Sequence, residues 1–215
     1  MKLSINLFMT LNGVSQAPGG PDEDTRNSFN DGGWLFTVWD DSCSTAVNRW
    51  FEQCGALFLG RTTYDVFAGY WPQVTDPQND VARILNTAQK HVVTSSPVGN
   101  EWADTTNVLD NNFLDAVTEL KTVDSAKELQ VHGSIQLARA LHKAGLVDVY
   151  RFLIAPVTVA DGFSLFDEPG PSYRMNVQHG TVTENGVFDV EMRPEELQIT
   201  QTAAVQDGKD SHQEV

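Results

Sequence analysis

The sequence is short of several things, and each shortage removes a class of function. No window of about 18 consecutive apolar residues occurs, so no segment is built to cross a membrane as a helix. Cysteine is scarce, with only Cys43 and Cys54 in the chain. Both fall in one helix-like segment, with no second pair and no histidine at ligand spacing. They read as reduced core thiols rather than a disulfide or a zinc site. Cations are few: 14 Lys and Arg stand against 29 Asp and Glu, a formal charge of −15 over 215 residues. Phosphate backbones are bound through Lys and Arg, which argues against a nucleic-acid partner. Against such a field, a cation placed in a cleft is informative.

Signature motifs are missing too. There is no G-x-G-x-x-G after a strand, no Walker A, no G-x-S-x-G and no H-E-x-x-H. The paired H-x-E and P-C-x-x-C of zinc deaminases are absent as well. His91, His132, His142, His179 and His212 show no ligand spacing, so no metal is expected. His132 adjoins Gly133 on a strand-like run and reads as a hydrogen-bonded structural histidine at a cleft edge. The first six residues enter an alternating pattern directly, without the apolar core of a signal peptide, which predicts a cytoplasmic protein.

What is present alternates strand-like and helix-like runs. Residues 3–11 alternate, with Leu3, Ile5 and Leu7 on one face, and run into Asn12-Gly13-Val14 and a Pro/Gly-rich loop over 17–24. Asp31-Gly32-Gly33 turns into Trp34-Leu35-Phe36, an aromatic cluster that reads as core. A helix is expected over 42–53, capped by Asp40-Asp41-Ser42 and ended by Gly55. Residues 56–60 read as a short buried strand leading into a helix with Thr62 as N-cap. Helices over 79–87, 112–121 and 135–141 then alternate with strands at 90–94, 108–109, 128–132 and 149–154. Glu184-Asn185-Gly186 between 174–183 and 187–193 is a type I′ hairpin signal. The pattern predicts an α/β domain over 1–193: a mainly parallel sheet, helices on both faces, and an antiparallel edge. A polar, acidic tail over 194–215 follows, with 206–215 expected to be disordered.

In an open parallel sheet, ligands sit outside the carboxyl ends of the strands. Three such ends carry the residue types a nucleotide diphosphate needs. At Gly60-Arg61-Thr62-Thr63 a strand meets a helix start, where free N–H groups and the dipole attract phosphate; Arg61 adds a bidentate cation. Thr94-Ser95-Ser96 is the second end. Gly133-Ser134-Ile135-Gln136 is the third, where Gly133 allows close backbone approach. Singly these are ordinary caps and turns; together they predict a dinucleotide cleft. With no acidic ribose-binding residue nearby, Arg61 and the hydroxyls favour a ligand carrying an extra phosphate.

Several runs occur in a telling order: Phe8-Met9-Thr10-Leu11-Asn12-Gly13, Leu59-Gly60-Arg61-Thr62-Thr63-Tyr64, Tyr70-Trp71-Pro72, Val131-His132-Gly133-Ser134, Gly145-Leu146-Val147-Asp148 and Ala155-Pro156-Val157. Together they resemble the dihydrofolate-reductase-like proteins related to the C-terminal reductase domain of the riboflavin-biosynthesis deaminase-reductase. The resemblance implies a three-layer α/β/α fold, NADPH as hydride donor, a small planar N-heterocycle (pteridine, pyrimidine or flavin-like) as substrate, and a homodimer. It implies that Gly60, Arg61, Thr62 and Thr63 hold the cofactor phosphates and that Thr94, Ser95 and Ser96 lie near the 2′-phosphate. Gly133, Ser134, Ile135 and Gln136 would cradle the pyrophosphate, with the nicotinamide and substrate near Asn12, Gly13 and Trp34. No catalytic residue is assigned. The family usually has Asp at the place of Asn12, and an amide cannot act as a general acid. Asp161, in Val159-Ala160-Asp161-Gly162, puts a carboxylate in the family's glycine-rich turn. A different class of function, nucleotide or flavin binding without turnover, fits both departures.

Overall fold

The computed structural model describes residues 1–110 and 112–214. The chain runs β1 (Lys2–Thr10), α1 (Asp41–Glu52), β2 (Cys54–Gly60), α2 (Arg61–Tyr70), α3 (Asp80–Thr87), β3 (Gln89–Val93) and β4 (Thr106–Leu109). It continues through α4 (Phe113–Thr122), β5 (Glu128–His132), α5 (Ile135–Lys143), β6 (Val149–Ala155), β7 (Tyr173–Val182) and β8 (Phe188–Glu196). β9 (Gln201–Gln206) and β10 (Lys209–Glu214) close it.

Eight strands form one sheet in the order β4-β3-β2-β5-β1-β6-β8-β7. β4 through β6 are mutually parallel, while β8 and β7 add antiparallel at the edge. From β1 to β4 the chain steps one way across the sheet, and from β4 through β5 to β6 it steps back. Right-handed crossovers therefore put α1, α2 and α3 on one face and α4 and α5 on the other. Packing agrees: Phe51, Tyr64 and Leu85 share one cluster, and Val117 and Leu141 share another with Leu3 and Ile5. This is the α/β sandwich of the dihydrofolate-reductase-like fold.

The alternation of β1 divides two chemistries. Leu3, Ile5, Leu7 and Met9 pack into the core under α4 and α5. Ser4 and Asn6 point the other way and are also buried, at 0% and 2% exposure. Asn6 joins a polar row centred on Arg151. That guanidinium grips the Glu128 carboxylate at 2.6 and 2.9 Å, donates to Glu191 at 2.7 Å and reaches Asn6 Oδ1. Burial raises the cost of each charge here, and the pairing offsets it: the Glu128 pKa ends below the usual carboxylate range.

Several local expectations need correcting. Gly55 does not end α1 but lies inside β2, although the cap at the other end is as expected, the Asp40 carboxylate accepting from Cys43 N–H. The N-cap of α2 is Gly60 rather than Thr62. Trp34 and Leu35 are core, but Phe36 is 61% exposed. The 183–187 hairpin is not type I′, because Asn185 has no positive φ; Gly186 alone does, at 84°. Gly186 N–H returns to Thr183 C=O and Thr183 N–H to Val187 C=O, a three-residue loop closed by a left-handed glycine. β8 runs on to Glu196, opposite Tyr173; of the segment expected to be disordered, 206–214 turns and forms β10 against β9, while Val215 lies outside the described residues. The primed turn is there, at Asp207-Gly208, with φ of 50° and 72°.

Arg151→Met should cost about 3 kcal/mol, because it strands a buried carboxylate. The check is the urea midpoint, which should fall with little change in slope. An unaltered midpoint would mean the row contributes nothing net.

Candidate functional site

β2 and β5 are hydrogen-bonded neighbours, yet α2 leaves β2 toward one face and α5 leaves β5 toward the other. The sheet therefore opens a crevice between their carboxyl ends, which is where open α/β sheets bind ligands. A cavity of about 1450 Å³ fills that crevice and spreads over the α1–α2 face.

The two helix starts face each other across the mouth. Gly60 N–H donates to Ser134 Oγ at 2.8 Å, and both Ser134 N–H and its hydroxyl reach Thr63 Oγ1, at 3.0 and 2.8 Å. Gly133 and Ser134 are both left-handed, with φ of 57° and 52°. That turn suits glycine, and a Cβ on Gly133 would sit 3.4 Å from Thr63 Oγ1. Neither α2 nor α5 carries a side-chain cap, so the first-turn N–H groups that a helix cannot bond itself are left for a ligand. Gly60, Arg61, Thr62, Thr63, Gly133, Ser134, Ile135 and Gln136 all line the cavity.

Arg61 carries the second strand end into the site. Its Nη1 donates to Ser96 Oγ and Pro97 C=O, each at 2.8 Å, while Nε holds Asp65 at 2.6 Å. Thr94 Oγ1 accepts from Ser96 N–H, fixing the turn through Ser95. These three residues stand outside the cavity wall and are joined to it by Arg61.

Asn12, Gly13 and Trp34 are placed differently. Asn12 faces the 157–162 loop: its amide donates to Val159 C=O at 2.8 Å and accepts from Thr10 Oγ1 at 2.8 Å. Gly13 turns the chain at φ 89°. Trp34 is buried, its indole N–H on Gln16 C=O at 2.8 Å. None of the three lines the cavity. Nor does Asp161, which caps its own turn by accepting from Gly162 N–H.

The walls contain groups that strand-end reasoning missed. α1 presents Ser44, Val47, Asn48 and Phe51, and α2 adds Val66, Phe67 and Tyr70 beyond the expected Thr63. Each set follows three- and four-residue steps, a signal the sequence did carry. Phe8, Phe36 and Trp39 extend this aromatic wall, with Phe8 and Trp39 edge to face at 5.9 Å. His132 forms part of the floor, stacked on Phe51 at 4.3 Å and hydrogen-bonded to Gln130 at 2.9 Å. Burial, with a smaller push from the Arg151 charge, lowers its pKa to about 3, so the ring is neutral. On the far side the 17–24 loop contributes Glu23, whose carboxyl accepts from Gly19 N–H and is pushed up in pKa by burial. Two buried polar atoms among the described residues, Ser15 Oγ and Trp50 Nε1, have no partner, and both residues line the cavity. Buried polar atoms are almost always satisfied, and a wall that keeps orphans suits a polar ligand.

Fold and crevice together are those of the dihydrofolate-reductase-like class. The chain belongs to the RibD C-terminal domain family, whose model matches residues 1–188. It is 23% identical over 191 residues to the uncharacterized protein YyaP of Bacillus subtilis (strain 168), covering 88% of this chain and 93% of that one. Among solved structures it resembles a putative riboflavin biosynthesis protein from Shewanella sp. PV-4, with a TM-score of 0.68 at 18% identity, over 91% of this chain and all of that one. A pyrimidine reductase-like protein from Corynebacterium diphtheriae matches with a TM-score of 0.59 at 12% identity, over 91% and 92%. At such identities these structures speak for the fold.

The buried, neutral His132 makes a pH prediction. An unfolded histidine takes its proton near about 6.5, and this one only near about 3. Between those values the unfolded state binds the extra proton, so the stability present above pH 6.5 is lost as pH falls toward 3. The loss approaches about 1.4 kcal/mol per pH unit in that window. Urea midpoints measured from pH 7 to 4 should fall less steeply for His132→Gln than for the native chain. Parallel curves would remove His132 as the source.

Proposed function

We propose that this protein is an NADPH-dependent reductase of a small planar N-heterocycle of pteridine, pyrimidine or flavin-like type. The observation that carries the reading is the meeting of two uncapped helix starts, at Gly60–Thr63 and Gly133–Gln136, at the switch point of the sheet. The first turns of both helices border the cavity, and their N–H groups and dipoles would neutralise a pyrophosphate there without lysines. Arg61 supports a 2′-phosphate beside Thr94, Ser95 and Ser96, since its Nη2 makes no hydrogen bond among the described residues. The aromatic wall from Phe36 and Trp39 to Phe67 and Tyr70 suits a flat acceptor. Bound there, NADPH supplies the hydride; the chain holds the acceptor flat against the floor of Phe8 and His132 and excludes water. The homodimer implied by the family belongs to the same proposal. The apolar residues Val177 and Val182 on the edge strand β7, 58% and 56% exposed, support it.

A second reading, nucleotide binding without turnover, is favoured by Asn12. Its amide is engaged with Val159, and it offers no acidic proton.

Calorimetric titration with NADPH and with NADH tests the nucleotide site that both readings need. NADPH should bind at least about ten-fold more tightly, a difference of about 1.4 kcal/mol. Arg61→Ala should remove most of that preference while leaving the melting temperature within about 1 °C, since the side chain is surface-placed. Consumption of NADPH with a heterocyclic acceptor would then establish the reductase; binding without consumption would establish the second reading. If neither nucleotide binds, the reductase falls, and of the second reading only flavin binding is left to titrate.

A further inference from the structure

The amino ends of the parallel strands, opposite the cleft, hold a second cavity of about 400 Å³. Five of the chain's 14 basic residues line it: Lys2, Arg49, Lys127, Arg151 and Arg193. Its own carboxylates are Glu128 and Glu191, with Asp189 behind Arg49. The large cleft has the opposite balance, with Arg26 and Arg61 against Asp22, Glu23, Asp24, Asp76 and Asp80. In a chain of charge −15, concentrating cations in one small hollow runs against the field of the whole molecule.

The cations are also held in place. Arg151, 3% exposed, is fixed by Glu128 and Glu191. Arg49 Nη2 reaches both Asp189 oxygens, at 2.9 and 2.8 Å, leaving Nε and Nη1 without partners among the described residues. The Lys127 ammonium rests on Glu52 C=O, at the carbonyl end of α1. Lys2 and Arg193 make no ion pair among the described residues and stay exposed at the rim. The hollow thus combines anchored guanidinium groups with unneutralised charge, the arrangement that receives a multivalent oxyanion through charge-assisted hydrogen bonds.

We propose that this hollow is a binding site for a small multivalent oxyanion, a phosphate ester or a polycarboxylate, separate from the cleft. An occupant there lies next to Arg151 and Glu128. Their hydrogen bonds run on through Asn6, and through Gln130 to His132, into residues of the cleft floor.

The test is calorimetric titration of the full chain, without nucleotide, using inorganic pyrophosphate and citrate at ionic strength held constant with sodium chloride. The two probes separate phosphoryl from carboxylate ligands. At least one should bind saturably, and Lys2→Ala with Arg193→Ala should weaken it at least ten-fold. Both side chains are exposed, so circular dichroism should show the fold retained. Arg61→Ala should leave this binding unchanged. Loss in Arg61→Ala with retention in the double variant would move the anion to the cleft and overturn the proposal. Heat that only tracks ionic strength would overturn it too. The NADPH titration stands or falls independently of either result.

Discussion

Arg151 ties together four neighbouring strands. It sits on β6, grips Glu128 at the start of β5, reaches Asn6 on β1 and donates to Glu191 on β8. A guanidinium at 3% exposure is tolerated only because its donors are spent on fixed acceptors. The same demand makes the arrangement directional, since planar fork geometry fits one register of β5, β1, β6 and β8. One face of the sheet is therefore polar at its centre, and α1 covers that face with Trp50 and Phe51. The cleft floor is the carboxyl-end continuation of this row, where Asn6 and His132 meet aromatic rings.

The crevice itself follows from connectivity. Because β2 and β5 send their helices to opposite faces, no helix can close the space above them. What holds that opening to a fixed width is the bonding of Thr63, Ser134 and Gly60 across it. Leaving the helix starts without side-chain caps costs some stability at each end, and it keeps their N–H groups directed at the gap. That trade is intelligible at a ligand site and at few other places in a fold.

Much of this was legible in the residues. The strand–helix order, the strand-to-helix step at Gly60 and the glycine turn at Gly133 are local features with local causes, whereas the meeting of Arg61 with Ser96 spans two strand ends. Misreadings fell where local signals were equivocal. Gly55 looks like a helix stop but is accommodated inside β2, opposite a register shift against β5. Asn185-Gly186 looks like a primed turn, yet the loop has three residues and needs only one positive φ. Asp207-Gly208 is a primed-turn pair inside a tail whose polar composition points to disorder.

The sequence by itself determined the alternation of elements, the apolar faces of the first strand and of the helices, and the strand-to-helix steps at Gly60 and Gly133. Periodicity and turn chemistry act over a few residues, so a one-dimensional reading captures them. Only the tertiary structure decided that Asn12 turns to Val159 and Trp34 to Gln16, away from the cavity. It alone brought Asn48, Phe67 and Tyr70 into one wall and gathered Lys2, Arg49, Lys127, Arg151 and Arg193 around one hollow. Those juxtapositions join residues far apart in the chain. They are fixed by which strands pair and which face each crossover takes, and no local pattern encodes either.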